Sequence, residues 1–183
     1  MKIKNSFRVW LPFAVVITAF SMLVYASVQQ AYRQGANDPQ IQMANDMADA
    51  LNTAMSIDSV LPQEKIFFEK SLAPFYVIYD ANGIPVAGTG MIDGKLPDIP
   101  KGVLDVAKES GENRRTWQPQ ANVRIAAVVV PYKDGFVLAG RNLRELEARE
   151  AQTTMFAGVT WVLALIATFL VVAFGEFFLG EKK

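Results

Sequence analysis

The sequence predicts an α+β domain, built on a five-stranded antiparallel sheet and carried between two transmembrane helices. Three observations point there. Two long runs without a charged residue, 9–32 and 151–175, lie near the two ends of the 183-residue chain. Between them, stretches such as FYVIYD, VRIAAVVVPY and GFVLAG are rich in β-branched and aromatic residues and bounded by Gly, Asn, Asp or Pro, the pattern of short strands joined by turns. Ahead of the strands, apolar residues recur at three- and four-residue spacing, the mark of an amphipathic helix.

The apolar runs are long enough to span a bilayer. Their hearts, 10–26 and 155–174, approach the ~20 residues that cover a hydrocarbon core of roughly 30 Å. Pro12 is expected in the first turn of the first helix, where a missing N–H costs little. Lys2, Lys4 and Arg8 flank the first run, and Lys182 and Lys183 follow the second. Short basic flanks stay in the cytoplasm. The expected organisation is therefore a cytoplasmic tail (1–8), a first span (9–30), an extracytoplasmic domain (31–150), a second span (151–177) and a cytoplasmic tail (178–183). The central segment carries 13 basic and 16 acidic residues, and long loops cross a membrane largely regardless of charge. Val24-Tyr25-Ala26 also fits a signal-peptidase site, and cleavage there would leave the second span as the anchor. The length of the first run favours an uncleaved helix.

Composition excludes several chemistries. The chain has no cysteine and no histidine, so disulfides, thiolate metal sites, Ser-His-Asp triads and the commonest general base are absent. Its formal charge is zero, which gives no reason to expect nucleic acid. Asp80, Asp93 and Asp134 all sit in turn signals, where Asp has a local backbone role. No enzyme activity, cofactor or metal is expected.

Element by element, Asn37-Asp38-Pro39 reads as a helix start, with Asp38 as cap and Pro39 first in the helix. Ala44, Met47, Ala48, Leu51, Ala54 and Met55 form its buried stripe, with Asp46 and Asp49 in solvent. A short helix is expected at 63–71, with Ile66, Phe67 and Leu72 turned inward. Strands follow at Phe75–Asp80 and 84–92, joined through Asp80-Ala81-Asn82-Gly83. A helix is expected at Lys101–Ser110, stopped by Gly111. Three more strands, 113–119, 123–132 and 135–140, complete the sheet. AAVVV and FVLA do not alternate, which places them in the sheet centre with both faces covered. Asn142 and Glu145 have capping-box spacing, and Arg141/Glu145 and Glu145/Arg149 are i, i+4 pairs. Nothing breaks the helix from there into the second span.

The stretches APFYVIYDANGIPVAGTG, KGVLDVAKESGENRRTWQP and VRIAAVVVPYKDGFVLAGRNLRELEARE resemble the extracytoplasmic PAS-like (Cache-type) sensor domain of bacterial membrane sensor histidine kinases. The resemblance covers roughly residues 38–150. It implies a long N-terminal helix, a five-stranded antiparallel sheet, a small-molecule pocket on one sheet face, and dimerisation through the long helix. The kinases of this kind continue past the second span into coupling and catalytic regions. This sequence shows neither, so its signal is expected to leave through another protein.

Five residues are candidates for ligand contact. Arg124 opens an apolar strand across a short turn from Trp117. It either stacks on that ring at the sheet edge or holds an anionic ligand. Tyr76 and Tyr79 face opposite sides of one strand. Tyr76 and Tyr132, each with an apolar body and a polar tip, suit core packing first and ligand contact second. Thr89, between Gly88 and Gly90, marks a β-bulge or a close approach to ligand. Arg114-Arg115 beside Glu112 reads as a solvated strand edge. Thr160, Ala164 and Thr168 allow close approach of another helix, and Glu176 is expected in water at the cytoplasmic interface. Two functions follow as expectations: a small-molecule sensing module in the cell membrane, with a homodimer or a membrane partner, or a structural subunit of a membrane complex.

Overall fold

The structure, a computed structural model, describes residues 2–35, 37–53 and 55–179. Ala54, Lys182 and Lys183, which entered the expectations above, lie outside the described residues, as do the side chains of Lys2 and Lys4. In chain order the elements are α1 (Lys2–Gly35), α2 (Asp38–Asn52), α3 (Ile57–Val60), β1 (Ile66–Phe67), β2 (Phe75–Asp80), β3 (Pro85–Gly88), β4 (Gly90–Met91), α4 (Lys101–Ser110), β5 (Asn113–Gln120), β6 (Val123–Tyr132), β7 (Gly135–Asn142) and α5 (Arg144–Leu179). They form two compact units, Met1–Tyr32 with Ala148–Lys183, and Arg33–Glu147.

The first unit pairs α1 with α5. Pro12 lies inside α1, not in its first turn, because the helix already begins at Lys2; the Arg8 carbonyl therefore lacks its in-helix donor. Each helix sends a tryptophan to the other. Trp10 Nε1 donates to Thr168 Oγ1 at 3.1 Å and to the Leu165 carbonyl at 3.2 Å, and Trp161 Nε1 donates to Thr18 Oγ1 at 3.0 Å. Thr168, expected to receive another helix, thus meets α1, whereas Thr160 is exposed. Asn5 Nδ2 and Ser6 Oγ both donate to Glu176 at 2.6 Å, so this partly exposed carboxylate also joins the two helices. Large apolar side chains cover the outside, with Phe20 66% and Val171 71% exposed. Such a surface suits hydrocarbon surroundings.

The second unit is the α+β domain. Its main sheet has the order β3-β2-β7-β6-β5, antiparallel throughout. The non-alternating runs β6 and β7 lie inside it, covered on both faces as their composition requires. On one face, Val77 and Tyr79 of β2, Ile125 and Val129 of β6 and Leu138 of β7 pack with Val103, Leu104 and Ala107 of α4 and with Phe68 and Trp117. On the other, Ile78, Val128, Val130, Val137 and Ala139 pack under Ala44, Met47, Ala48 and Leu51 of α2. Gly111, at φ 81°, stops α4 where expected.

Several local expectations are corrected. Asn37 is the N-cap of α2, without a side-chain cap bond, and Asp38 and Pro39 are its first two residues. The helix ends at Asn52, so Met55 leaves the stripe and is 54% exposed. No helix forms at 63–71. The Ile66 N–H donates to the Thr89 carbonyl and the Phe68 N–H to the Met91 carbonyl, which draws the segment into parallel pairing with β4. Ile66 packs against the α4-side core as expected, Phe68 is fully buried with it, and Phe67, expected inward, is 47% exposed. The expected strand 84–92 is two pieces, β3 and β4, broken at Thr89.

Candidate functional site

The five expected ligand residues do not converge. Trp117 pairs with Ile125 across β5 and β6 and is buried with it in the α4-side core. Arg124 is the neighbour of Ile125, so strand alternation turns it to the opposite face, where it pairs with Glu147. The Trp117–Arg124 stack is therefore geometrically precluded. Tyr76 and Tyr132 are half-buried on the α2 side, but they lie opposite Ala139 and Gly135 of β7, respectively. That is four residues of strand, about 13 Å. Burial raises both phenol pKa values, aided by Asp46 at Tyr76 and by Asp134 and Asp80 at Tyr132. Thr89 is 1% exposed. Its N–H donates to the Tyr76 carbonyl, its Oγ1 accepts from the Tyr76 N–H, and its carbonyl accepts from Ile66. It splices β3 to β4 and to β1.

The chain's own side chains fill both sheet faces. On the α4 side Phe68, Phe75, Tyr79 and Trp117 are none of them more than 9% exposed. Tyr79 OH donates to the Pro97 carbonyl at 2.9 Å. Burial, and then the Asp98 charge, push its pKa up. Phe75 takes the room left by two glycines: a Cβ on Gly90 would come within 2.1 Å of its ring and one on Gly140 within 2.6 Å.

Open space lies at the β3 edge. A cleft of about 360 Å³ is bounded by Asp58, Leu61, Lys65, Val86, Gly88 and Leu96, among others. A second, of about 440 Å³, shares Lys65 and includes Glu64, Phe67, Lys70 and Ser71. Lys65 Nζ donates to the Gly88 carbonyl at 2.8 Å, occupying one of three ammonium donors, and among the described residues it forms no ion pair. The cleft thus offers an ammonium, a carboxylate and an apolar wall, enough to orient a small polar molecule.

The same segment reaches the start of α5. The Phe68 ring stacks on Phe75 with centroids 4.4 Å apart, and its carbonyl accepts from Asn142 Nδ2 at 2.8 Å. The Lys70 carbonyl accepts from the Arg144 guanidinium at 3.2 Å. Asn142 Oδ1 accepts from the Arg144 N–H at 2.8 Å. Asn142 thus gives its side-chain oxygen to the helix start, as a cap does. It is the last residue of β7, and its buried amide joins the 65–70 segment to the first helical N–H. Leu143 N–H donates to the Arg124 carbonyl at 2.8 Å, and the Arg124–Glu147 pair closes the turn.

Lys65, Phe68, Asn142 and Arg144 carry this junction, and sequence reasoning gave only Asn142 a role, as a helix cap. A period-two reading of Ile66-Phe67-Phe68 would have turned Ile66 and Phe68 to one side. No protein-family model matches the chain, and no curated protein matches it.

Proposed function

We propose that this chain is a membrane-anchored sensing module of the PAS-like (Cache-type) kind. Its Arg33–Glu147 unit faces away from the cytoplasm, takes up a small molecule, and passes its state along α5 to a partner in the membrane. One observation carries the reading. The central strand β7 ends at Asn142, α5 starts at Arg144, and the helix then runs unbroken to Leu179. A strand inside the sheet is thus followed, after one residue, by the helix that holds the second apolar run. The long helix α2 on one face of a five-stranded antiparallel sheet supports the PAS-like assignment, and the basic flanks of the apolar runs support the orientation.

Such a module works only if its ligand binds two states of the domain unequally. The test is thermal unfolding of the full chain in lipid nanodiscs against a panel of small metabolites. A ligand at about 100 times its Kd adds roughly 2.7 kcal/mol, which should move the midpoint by several degrees. A shift from one chemical class supports sensing. No shift across a broad panel, with the chain well folded, overturns it.

A second reading, a structural subunit of a membrane complex, is favoured by the self-filled sheet faces. It requires co-purification with one membrane complex irrespective of any small molecule.

A further inference from the structure

We propose that residues 65–70 are a strap that couples the β3-edge cleft to the first turn of α5, with Lys65 as its pin and Asn142 and Arg144 as its catch. The proposal deepens the sensing reading and rests on it for its purpose, by naming which part of the domain α5 responds to.

The argument starts from backbone groups. Residues 65–70 are tied to the β3–β4 edge at one end, where the Phe68 N–H also donates to the Met91 carbonyl, and to the start of α5 at the other. At the edge, Lys65 Nζ holds the Gly88 carbonyl and Ile66 N–H holds the Thr89 carbonyl, each at 2.8 Å. At the other end, the carbonyls of Phe68 and Lys70 accept from Asn142 and Arg144. Between these points lies Phe68, packed without exposure against Phe75. Close packing around the Phe68 ring limits its rotation, so a displacement of the strap is carried through the Phe68 backbone to its carbonyl. Displacement of the strap at the edge therefore reaches Asn142, whose other amide atom accepts from the Arg144 N–H. This is one of the N–H groups that a helix start leaves without an in-helix partner, so the strap's position decides whether the first turn of α5 is held. Lys65 also lines the cleft. A molecule there that presents an acceptor oxygen takes the ammonium's remaining donors and draws Lys65 toward the cleft, which makes the pin the natural point of release. The Gly88 backbone that receives the pin lies close against β2, where a Cβ would meet the Tyr76 carbonyl oxygen at 2.7 Å.

Amide hydrogen exchange on the full chain in nanodiscs tests this without any ligand, so its outcome is independent of whether the chain senses one. Lys65→Met removes the pin, and Lys108→Met, an exposed lysine of α4, is the control. The expected result is several-fold faster exchange at 66–70 and also at 143–148, with β6 unchanged and the control like the parent chain. Coupling is reciprocal, so Arg144→Met should loosen 66–70 as well as the helix start. Acceleration at 66–70 alone overturns the proposal, and so does uniform acceleration that includes β6, because Lys65 would then support the fold as a whole and not the strap.

Discussion

At the scale of single residues, the domain is defined by polar groups that found partners in dry surroundings. Tyr79 is the clearest case. Its ring is 0% exposed and its hydroxyl is spent on the Pro97 carbonyl. Tyr79→Phe keeps the ring and leaves that carbonyl unpaired, a cost of about 1–3 kcal/mol. The pH dependence has a definite sign. The folded pKa is raised above the ordinary 10.0, so the contribution is complete below pH 10 and is lost as pH rises through the folded value. Denaturant titrations should show the gap between parent and variant constant at neutral pH and narrowing in alkali. A gap that widens above pH 10 would contradict the assignment.

At the scale of elements, α2 carries an imperfection that points to a measurement. Gln40 opens its buried stripe, fully buried, with neither amide atom bonded. A buried unpaired amide is destabilising, so Gln40→Leu should raise stability by about 1 kcal/mol. Chemical denaturation of the full chain checks this, and a loss of stability would mean that the amide has a partner in the folded protein. The other elements hold fewer surprises. α4 occupies the span its sequence marks, from a proline N-cap to a left-handed glycine. The turn after β2 is held by Asp80, whose carboxylate accepts the N–H groups of Asn82 and Ile84. Its pKa is lowered, chiefly by the Ile84 N–H.

At the scale of the molecule, one chain carries two units of different surface, a helix pair with large apolar side chains outside and an α+β domain that buries its own. The helix pair is joined by hydrogen bonds between polar side chains set among exposed apolar ones. The reciprocal bonds of Trp10 and Trp161 to Thr168 and Thr18 are its centre. Interhelical bonds of this kind contribute about 0.6 kcal/mol each. Replacing both tryptophans by Phe should therefore weaken association of the two helices by roughly 1 kcal/mol, measured by energy transfer between labelled α1 and α5 peptides in bilayers. Unchanged association would show that the two tryptophan bonds do not hold the pair.

What the sequence by itself determined is whatever is encoded locally. Charge-free length marked the two long helices, and turn residues marked the ends of β2, β6 and α4. Unalternating apolar runs located the inner strands. These signals need only neighbouring residues. What the tertiary structure alone decided is whatever depends on partners distant in the chain. Residues 66–67 became a strand because the 89–91 segment, more than twenty residues away, supplied carbonyls at 89 and 91. Trp117 and Arg124 separated because register put Ile125 opposite the tryptophan. Asn142 gave one side of its amide to Phe68, seventy-four residues earlier. The candidate site belongs to this second class: its groups come from the 58–70 segment, the β3 edge and the start of α5, and only the fold brings them together.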